Sequence, residues 1–523
     1  MPRKTLPWFY LVLLILLHVW ICQEAFLTES TGHWQSMHGM WMASARLMGL
    51  HWLPPQWWSY GGGGAPMEYV YAPLIPAATA ALSSLLHISL PTAFHLLSGI
   101  VYVLGPVLLY LASWRLFRAP GYSFAAALAY SLLSFSQIIV PDAAFRADGL
   151  LSARRFYVLF DWDDLPHLTS LALLPVAVLF LARAPQRRRW WDGCLAGLTM
   201  ALMMLANMFG IILVAIVAIT VPLALERRPQ LALFVRSALI AAASWVLVSP
   251  WLPPSLLLAI RRVSVSDGEA DTTLHAAYAL AVIAAVSTLV WFFASRRNVE
   301  WPLRWLMLFT CWAVLIPVLA QYWGPHFAPQ PGRYKLELEM AVAWLGVFAL
   351  RPLIRRTPLL ARIALGILLG VAVVWQVDSH REFAQILLRP VDAPTSLEYR
   401  TAKWMETNFP GQRVMMTGSM ALWLNLYTNQ PQVIGQSYST SLNWMEQVAT
   451  YTMYSSQNTG ARGGEYSLLW LQANGAQAIA VPGAKSPDAW RPFTNPLQFE
   501  GVLPVLWHED DTTIYRVPQV TAS

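Results

Sequence analysis

The chain has 523 residues, of which 56% are hydrophobic and only 12% are charged. Because soluble globular proteins carry about a quarter charged residues, this composition excludes an ordinary soluble protein and indicates a protein with many membrane spans. The net charge of +7 does not indicate nucleic-acid binding, because Arg and Lys cluster in short loops between apolar runs, as the positive-inside rule predicts for membrane proteins.

The first apolar segment, residues 6–25, follows two basic residues, Arg3 and Lys4. It resembles a signal peptide, but no small-residue cleavage site follows it and it is long enough to span a bilayer, so we interpret it as the first transmembrane helix. Apolar runs of similar length predict about eleven spans, at residues 6–25, 92–114, 121–140, 166–184, 190–206, 207–225, 232–250, 274–294, 302–322, 336–352 and 358–377.

Basic clusters between these runs indicate how the spans are oriented. If residues 72–90 do not cross the membrane, all the basic clusters lie on the cytoplasmic side, whereas a full crossing places every cluster after the first outside. The sequence therefore predicts an interfacial or re-entrant helix at 72–90 and a cytoplasmic N-terminus. Residues 190–225 fit one long helix or two short ones. The same count predicts that one outer face carries the loops 24–91, 141–165, 251–273 and 323–335 and the tail from Asp378.

The composition changes near residue 390, where charges of both signs return and short strand-like runs alternate with helix-like runs. This alternation predicts a small extracytoplasmic α/β domain over residues 390–523. The predicted strands are Gln412–Met416, Gln432–Ile434, Gln477–Val481, Val502–Leu506 and Thr512–Val517, with a turn at Glu509-Asp510-Asp511. The predicted helices are Ser419–Leu426, Ser439–Tyr454 and Glu465–Asn474. The fold class is thus an all-α polytopic bundle over residues 1–380, followed by this domain.

The segment from Gln23 to Tyr71, directly after the first predicted span, is long, aromatic and poor in charge. Long loops without evident structure are usually functional or disordered, and this one is too aromatic for disorder, so we interpret it as the wall of a substrate site. Glu24 and Glu29 lie near the outer end of the first span. Either side chain is a solvated helix end or a general base, because partial shielding from water moves the pKa of a carboxylate towards a useful value.

Tryptophans follow these carboxylates along the loop. They fit an aromatic belt at the membrane interface or, for one or two of them, a surface on which sugar rings pack. The residues are Trp34, Trp41, Trp52, Trp57 and Trp58. The run Gly61–Gly64 lacks the Lys-Ser/Thr of a phosphate-binding loop and predicts a flexible hinge.

Residues 141–167 form the most charged segment of the membrane half. Arg154 and Arg155 contradict the positive-inside tendency here, which indicates an anionic ligand such as phosphate or a self-neutralising cluster with the nearby acids. A metal site is a further possibility, from Asp161, Asp163, Asp164 and His167. On the next outer loop, Arg333 precedes Tyr334 and a span that begins with Glu337 and Glu339. Arg333 either recognises phosphate or pairs with Glu337 or a loop Asp.

Four stretches of the chain resemble the GT-C glycosyltransferases, which take sugars from polyprenyl-phosphate donors on the outer membrane face. They are TGHWQSMHGMWMASARLMG, LPPQWWSYGGGGAPMEYVYAPL, DDLPHLTSLALLPVAVLFLARA and PQPGRYKLELE. Bacterial membrane proteins labelled 6-pyruvoyl-tetrahydropterin-synthase-related are the most similar. The family pattern places an Asp after Gly-His, where this chain has Trp34.

The resemblance implies Glu29, or else Glu24, as the catalytic base, and Asp163 and Asp164 as the second acidic cluster. It also implies that Arg333 binds the donor phosphate. The other substrate-binding residues that we predict are Tyr334, Arg154, Arg155, His33, His167, Trp34 and Trp58.

The sequence therefore supports two hypotheses. The first is a glycosyltransferase of the bacterial inner membrane that moves a sugar from a polyprenyl-phosphate donor to an envelope glycan, lipid or protein. The second is a GT-C-like binding or assembly subunit that has lost the catalytic acid. A transporter is disfavoured, because the middles of the spans carry almost no charge and no inverted halves are visible. The partners are the lipid-linked sugar and membrane lipids, no cofactor is certain, and a divalent metal is possible.

Overall fold

The computed structural model of the chain describes residues 5–50, 57–142, 148–187, 189–266, 273–434 and 444–519. The helices up to residue 387 are α1 (Leu6–Ile21), α2 (His38–Leu50), α3 (Leu74–Leu86), α4 (Leu90–Phe117), α5 (Pro120–Leu132), α6 (Ser136–Ile139), α7 (Arg154–Phe160), α8 (Leu165–Arg187), α9 (Trp190–Ala206), α10 (Gly210–Leu225), α11 (Leu231–Val248), α12 (Pro254–Ser266), α13 (Thr273–Arg296), α14 (Trp301–Trp323), α15 (Lys335–Arg356) and α16 (Leu359–Leu387).

Six of these helices are long and apolar enough to cross a membrane, namely α4, α8, α11, α13, α14 and α16. In α16 only 6% of the most apolar stretch is buried inside the protein. Water would be a poor environment for such a surface, because exposed apolar area is unfavourable there, whereas lipid is a suitable one. The chain is therefore a membrane protein.

Each of the eleven predicted spans contains a helix, and the remaining five are α1, α5, α9, α10 and α15. The first four have only 13 to 17 residues, and α15 carries charges at both ends, so the number of crossings stays a prediction. Residues 190–225 form two helices, and the side chain of Asn207 accepts a 2.9 Å hydrogen bond from the Phe209 N–H at the junction. The predicted span 121–140 is interrupted, because the chain is extended at Leu133.

The segment 72–90 contains α3, which has 13 residues and is therefore about 20 Å long. That length is short of the roughly 30 Å hydrocarbon core of a bilayer. The helix packs against α2 and α4 and ends at His87, which has φ 54°. Because α5, which lies in a predicted span, also has 13 residues, length alone does not decide the matter, and it stays a prediction that segment 72–90 does not cross the membrane.

The C-terminal domain contains α17 (Leu397–Asn408), α18 (Gly418–Tyr427), α19 (Trp444–Ser455) and α20 (Gly463–Ala473). The loop 24–91, called the first outer loop after its predicted side of the membrane, contains a small hairpin that pairs β1 (Trp57–Trp58) with β2 (Ala65–Pro66). The domain itself has an antiparallel sheet in the order β3-β5-β4, formed by β3 (Ala478–Pro482), β4 (Val505–Glu509) and β5 (Thr512–Arg516). The first residues of the predicted helix Ser439–Tyr454 lie outside the described part of the chain.

The predicted turn between β4 and β5 is present. Asp510 and Asp511 have φ 49° and 53°, which is the pair of positive φ angles that a type I′ hairpin turn requires. Two predicted strands are wrong, because Gln412–Met416 and Gln432–Ile434 form only isolated bridges, Val414 with Gln432 and Met415 with Ile479.

The C-terminal domain packs against the first outer loop, with α18 lying along α2. The indole N–H of Trp423 donates to the Trp34 carbonyl at 2.9 Å, and the Gln432 N–H donates to the Tyr60 carbonyl at 2.7 Å. Gly39 permits this approach, because a Cβ there would lie 2.6 Å from the Leu422 carbonyl oxygen. The domain is therefore held over the same loop that the sequence predicts to line a site.

Candidate active site

A cavity of about 1040 Å³ opens where four separate stretches of the chain meet. They are the first outer loop, the loop that precedes α8, the turn that precedes α15 and the C-terminal domain. The lining residues are Gln35, Ser36, Met37, Asp142, Arg154, Tyr157, Val158, Asp161, Trp162, Asp164, Gln330, Pro331, Gly332, Arg333, Lys335, Leu336, Ala489 and Trp490. Three of the four loops that the charge count assigned to one face, 24–91, 141–165 and 323–335, thus contribute to one cavity.

Two buried cations, Arg154 at the start of α7 and Lys335 at the start of α15, share one carboxylate. The Arg154 Nε donates to Asp142 at 2.9 Å, and Lys335 pairs with the other oxygen of the same side chain. Burial favours a higher pKa for Asp142, but Lys335 and Arg154 outweigh it and hold the pKa below its ordinary value. Arg154 Nη1 has no hydrogen-bond partner among the described residues, but it is buried and lies 3.7 Å from Glu339 Oε1. Arg154 thus faces two acids and adds positive charge to the cavity wall.

Arg333 lies in a short turn, Pro331–Tyr334, directly before α15. Its Nη1 is 2.9 Å from Asp164, yet 44% of the Arg333 side chain is exposed. Burial would raise the pKa of Asp164, but Arg333, His167 and Arg154 together outweigh it and lower that pKa to about 2. Asp164 in turn raises the pKa of Arg333. The pair is ionised, and most of the guanidinium donors remain directed away from Asp164.

Asp161 connects the loop before α8 to the first outer loop. Its Oδ1 lies 2.9 Å from His33 Nδ1 and accepts a 2.8 Å hydrogen bond from the Gln35 side chain. Burial favours a higher pKa, but hydrogen bonds from His33, Tyr157 and Gln35, the one from His33 above all, keep the pKa of Asp161 below its ordinary value. The cavity therefore contains a carboxylate that is ionised at neutral pH and oriented by three side chains.

Asp163 lies between these residues in sequence but is not a cavity residue. It is buried and has φ 70°, and its Oδ1 is 3.0 Å from His38 Nε2. Burial, with Asp164 next to it, raises the pKa of Asp163 well above its ordinary value. Asp163, which has a left-handed backbone, is thus buried with a raised pKa, while its neighbours Asp161 and Asp164 line the cavity with lowered pKa values.

No protein-family model matches the chain, and no curated protein matches its sequence. Solved structures do match. The chain is similar to the Archaeoglobus fulgidus oligosaccharyltransferase in complex with Zn and sulfate, at 14% identity over 90% of this chain and 67% of that one, with a TM-score of 0.55. It is also similar to ArnT from Cupriavidus metallidurans, at 15% identity over 96% of this chain and 97% of that one, with a TM-score of 0.52.

A third match is the oligosaccharyltransferase AglB from Archaeoglobus fulgidus, solved with an inhibitory peptide and a dolichol-phosphate, at 12% identity over 91% of this chain and 69% of that one, with a TM-score of 0.56. The chain has the GT-C fold. The GT-C matches give no support to the 6-pyruvoyl-tetrahydropterin-synthase-related label.

Neither predicted base of the GT-C pattern lies in the cavity. Glu29 is exposed on the first outer loop and is not a lining residue. Glu24 is not a lining residue either and pairs with Arg381 near the C-terminal end of α16. Burial favours a higher pKa for Glu24, but Arg381 lowers it below its ordinary value. The cavity carboxylate in contact with the first outer loop is instead Asp161.

Four predicted substrate residues lie behind the cavity wall. Arg155 points into the bundle, where its Nη2 donates to the Tyr102 carbonyl at 2.7 Å and its guanidinium lies over the Tyr102 ring. His167 is buried between Glu337, at 2.6 Å, and Asp164, at 3.4 Å. Tyr334 is buried beside His167. His33 contacts Asp161 and the Leu387 carbonyl rather than the cavity, so it orients a lining residue.

The loop tryptophans also lie elsewhere than predicted. Trp34 packs edge-on against Trp423 of the C-terminal domain, with ring centroids 4.6 Å apart. Trp58 is buried against Tyr60 in the hairpin of β1 and β2. Trp41 is buried against Tyr71, and Trp52 lies outside the described residues. The tryptophans that line the cavity are Trp162 and Trp490.

The predicted metal site does not fit the side chains of this GT-C chain. In the described part of the chain, no three His, Cys, Asp or Glu side chains are arranged to hold a metal ion. The four candidates instead make separate contacts, Asp161 with His33, Asp163 with His38, and Asp164 and His167 with each other. We therefore derive no step of the chemistry from a metal.

Sequence reasoning missed Lys335, Gln35 and Trp490 as cavity residues. Lys335 lies two positions after Arg333, at the start of a predicted span. Arg333 was selected because it is a cation on the predicted outer face, and the same reason applied to Lys335. Gln35 lies directly after the position of the pattern Asp. Trp490 gave no local signal, because its position depends on how the C-terminal domain packs against the first outer loop.

Proposed function

We propose that this chain is an integral-membrane glycosyltransferase that transfers a sugar from a polyprenyl-phosphate donor to an acceptor hydroxyl. The observation that carries the proposal is the cavity, in which Arg333, Lys335 and Arg154 lie together with the oriented carboxylate of Asp161. Cations that can neutralise a phosphate and a base that can accept a proton are the two groups that such a transfer requires.

The donor phosphate binds between Arg333 on one side and Arg154 and Lys335 on the other. Arg forks bind phosphate oxygens in a bidentate manner, and Lys contributes a point charge. Arg333 suits this role because its partner Asp164 occupies one end of the guanidinium and 44% of the side chain remains exposed. The solved AglB structure contains a dolichol-phosphate, which is a lipid phosphate of the same chemical class.

Asp161 acts as the general base. The acceptor oxygen forms a bond to the anomeric carbon of the sugar, while the bond from that carbon to the phosphate oxygen breaks and its electron pair leaves with the polyprenyl phosphate. The proton of the acceptor hydroxyl passes to Asp161. His33 and Gln35 hold the carboxylate in place, and the three cations stabilise the negative charge that develops on the leaving phosphate.

The proposal includes an orientation. The cavity and the C-terminal domain lie on the outer face of the bacterial plasma membrane, and the N-terminus is cytoplasmic. The positive-inside rule supports this arrangement, because Arg residues cluster in the last turns of α4, α8, α13 and α15 or in the short loops that follow them, and in the loop after α10.

The test is a transfer assay on the purified chain in liposomes, with labelled polyprenyl-phosphate mannose, glucose and arabinofuranose as donors and extracted envelope glycan as acceptor. We expect Asp161→Asn to lower the release of polyprenyl phosphate by about 10²–10⁴-fold, the usual contribution of a general base. Glu29→Gln is the matched control and should keep full activity. Thermal unfolding of each variant shows whether the fold is retained.

An active Asp161→Asn variant would remove Asp161 from the mechanism. Absence of transfer from every donor would favour the second candidate, a GT-C binding or assembly subunit. Two observations support that candidate. Trp34 occupies the position of the pattern Asp, and each lining carboxylate already has a cationic or His partner. The convergence of three lining carboxylates near Arg333 favours the enzyme.

A further inference from the structure

Two partly exposed indoles line the cavity, and they come from distant parts of the chain. Trp162 lies in the loop that precedes α8, and Trp490 lies between β3 and β4 of the C-terminal domain. Their exposed fractions are 49% and 58%. Exposing this much aromatic surface to water is unfavourable. A ligand bound in the cavity would cover the two indoles and remove this cost.

The Trp490 side chain is held in place despite its exposure. Its indole N–H donates to the Gln35 carbonyl at 2.8 Å. The loop that carries it is ordered by Asp488, a buried side chain whose Oδ1 accepts from the N–H groups of Trp490 and Arg491 at 2.8 and 2.9 Å. Gly418, at φ 61°, leaves room for Asp488, because a Cβ there would lie 2.4 Å from the carboxylate. The ring is thus pre-organised at the cavity.

We propose that Trp490, with Trp162, forms a stacking platform for a sugar ring of the acceptor, so that the acceptor is a glycan. This inference rests on the proposed function. The CH face of a sugar is apolar and packs on an indole, while its hydroxyls stay hydrated. Such stacking tolerates several sugars, because it reads the face of the ring rather than individual hydroxyls.

The position of Trp490 favours the acceptor over the donor. The cations assigned to the donor phosphate belong to the first turns of α7 and α15 and to the turn before α15. Trp490 instead belongs to the domain that packs on the first outer loop, outside the helical bundle. A lipid-linked donor reaches the cavity from the bundle, and a glycan in water reaches it past the domain.

The experiment measures glycan binding by the full chain in detergent micelles without any donor. Saturation-transfer NMR with cellotetraose, mannotetraose and chitotetraose reports which ring protons contact the protein. We expect signals on the ring CH protons of at least one of these probes. Trp490→Ala should weaken its binding by about tenfold, which corresponds to about 1.4 kcal/mol, and Trp162→Ala should weaken it by less.

Two variants separate stacking from a merely structural role of Trp490. Trp490→Phe keeps an aromatic face but loses the N–H that binds the Gln35 carbonyl, so it should stay within about threefold of the wild-type affinity. Trp57→Ala removes an indole of similar exposure, 54%, that is not a cavity residue, and should leave binding unchanged. If Phe were as damaging as Ala, Trp490 would be a docking contact and the platform would be rejected.

The outcomes also separate this inference from the proposed function. Glycan binding that Trp490→Ala removes, in a chain that transfers no sugar, would keep the platform and overturn the enzyme. Transfer without glycan binding, or binding that Trp490→Ala leaves intact, would overturn the platform alone. Where transfer is measurable, Trp490→Ala should raise the KM for the acceptor and leave the KM for the donor unchanged. A raised donor KM would contradict the assignment to the acceptor.

Discussion

Two Arg–carboxylate pairs of this molecule differ in how many guanidinium donors they use within the protein. At the end of α1, Glu24 faces Arg381 with both carboxylate oxygens, and Arg381 Nη1 also donates to the Ile21 carbonyl at 3.3 Å. In the cavity, Asp164 contacts Arg333 through one nitrogen only, at 2.9 Å. Arg381 is buried, whereas 44% of Arg333 is exposed.

The difference indicates which pair binds a ligand. A bidentate pair with a further backbone contact uses most of its donors within the protein and stabilises the junction of α1 and α16. A single contact fixes the orientation of Arg333 and leaves donors for an anion. The number of remaining donors, rather than the presence of Arg near Glu or Asp, therefore separates a binding residue from a structural one.

Among the variants that test this comparison, we expect the largest change in donor affinity from substitution of Arg333. Arg333→Ala should raise the KM for the polyprenyl-phosphate donor by about 10–100-fold, because a hydrogen bond to a charged group contributes about 1.5–3 kcal/mol. Arg333→Lys should recover only part of this affinity, since it restores the charge but not the fork. Donor titration of transfer by each variant is the measurement, and an unchanged donor KM in Arg333→Ala would contradict the phosphate role.

Arg381→Ala should have the opposite profile. Removing the partner of Glu24 and the contact with Ile21 should lower the free energy of unfolding by about 1–3 kcal/mol without changing the KM for the donor. Thermal unfolding in detergent and donor titration on the same sample separate the two effects. A selective rise in donor KM, with normal unfolding, would show that the two pairs do not differ as proposed.

The neighbouring acids Asp163 and Asp164 extend the comparison to pH. Asp164 has a lowered pKa, about 2, so its contribution to stability is full above its unfolded pKa of about 4 and is lost as the pH falls towards 2. Asp163 has a raised pKa, so the folded state loses stability as the pH rises from about 4 through that raised value.

Substitution by Asn should therefore affect these two acids in opposite directions. Asp164→Asn should destabilise the protein at pH 7 by roughly 1 kcal/mol, because the exposure of Arg333 weakens their pair. Asp163→Asn should lose little at pH 5 and gain in relative stability towards pH 9, since it cannot ionise. Unfolding temperatures of both variants and the wild type across this range provide the measurement. Equal losses for both at every pH would refute the difference.

Periodicity and hydropathy predicted the bundle well, because apolar length is a local property of the sequence. The charge count also predicted that the first outer loop, the acidic loop and the Arg333 turn share a face, and they line one cavity. The charge count could not predict which of two adjacent side chains faces that cavity. Arg154 and Arg155 are adjacent in sequence, yet only Arg154 lines the cavity, because they point to different sides of α7.

The catalytic base that we propose was harder to predict than the fold. Glu29 was selected because it is a carboxylate close to the end of the first span, whereas Asp161 was considered only as a partner of the nearby Arg residues or as a metal ligand. The role of Asp161 depends on His33 and Gln35, which lie about 130 residues earlier in the chain. Such pairing arises from tertiary packing, and no local pattern contains it. The same holds for Trp490, whose partner is also in the first outer loop.

The smallest expected effect concerns the position where the GT-C pattern has Asp. Trp34→Asp restores the acid in sequence, but the side chain at this position faces Trp423 of the C-terminal domain and does not line the cavity. We expect no gain in transfer and a loss of about 0.5–1.5 kcal/mol from the aromatic contact. The hydrogen bond from the Trp423 N–H should persist, because it uses the Trp34 carbonyl. Trp34→Phe, which keeps an aromatic edge, is the matched control.

A rise in transfer by Trp34→Asp would have a specific consequence. It would mean that the loop can rotate residue 34 into the cavity and that an acid there outperforms Asp161. The wild-type chain would then be a GT-C protein that lost its base when the loop acquired a docking contact with the C-terminal domain, and the binding-subunit hypothesis would become the better one. Unchanged transfer, together with a lower unfolding temperature than Trp34→Phe, would instead place the base with Asp161.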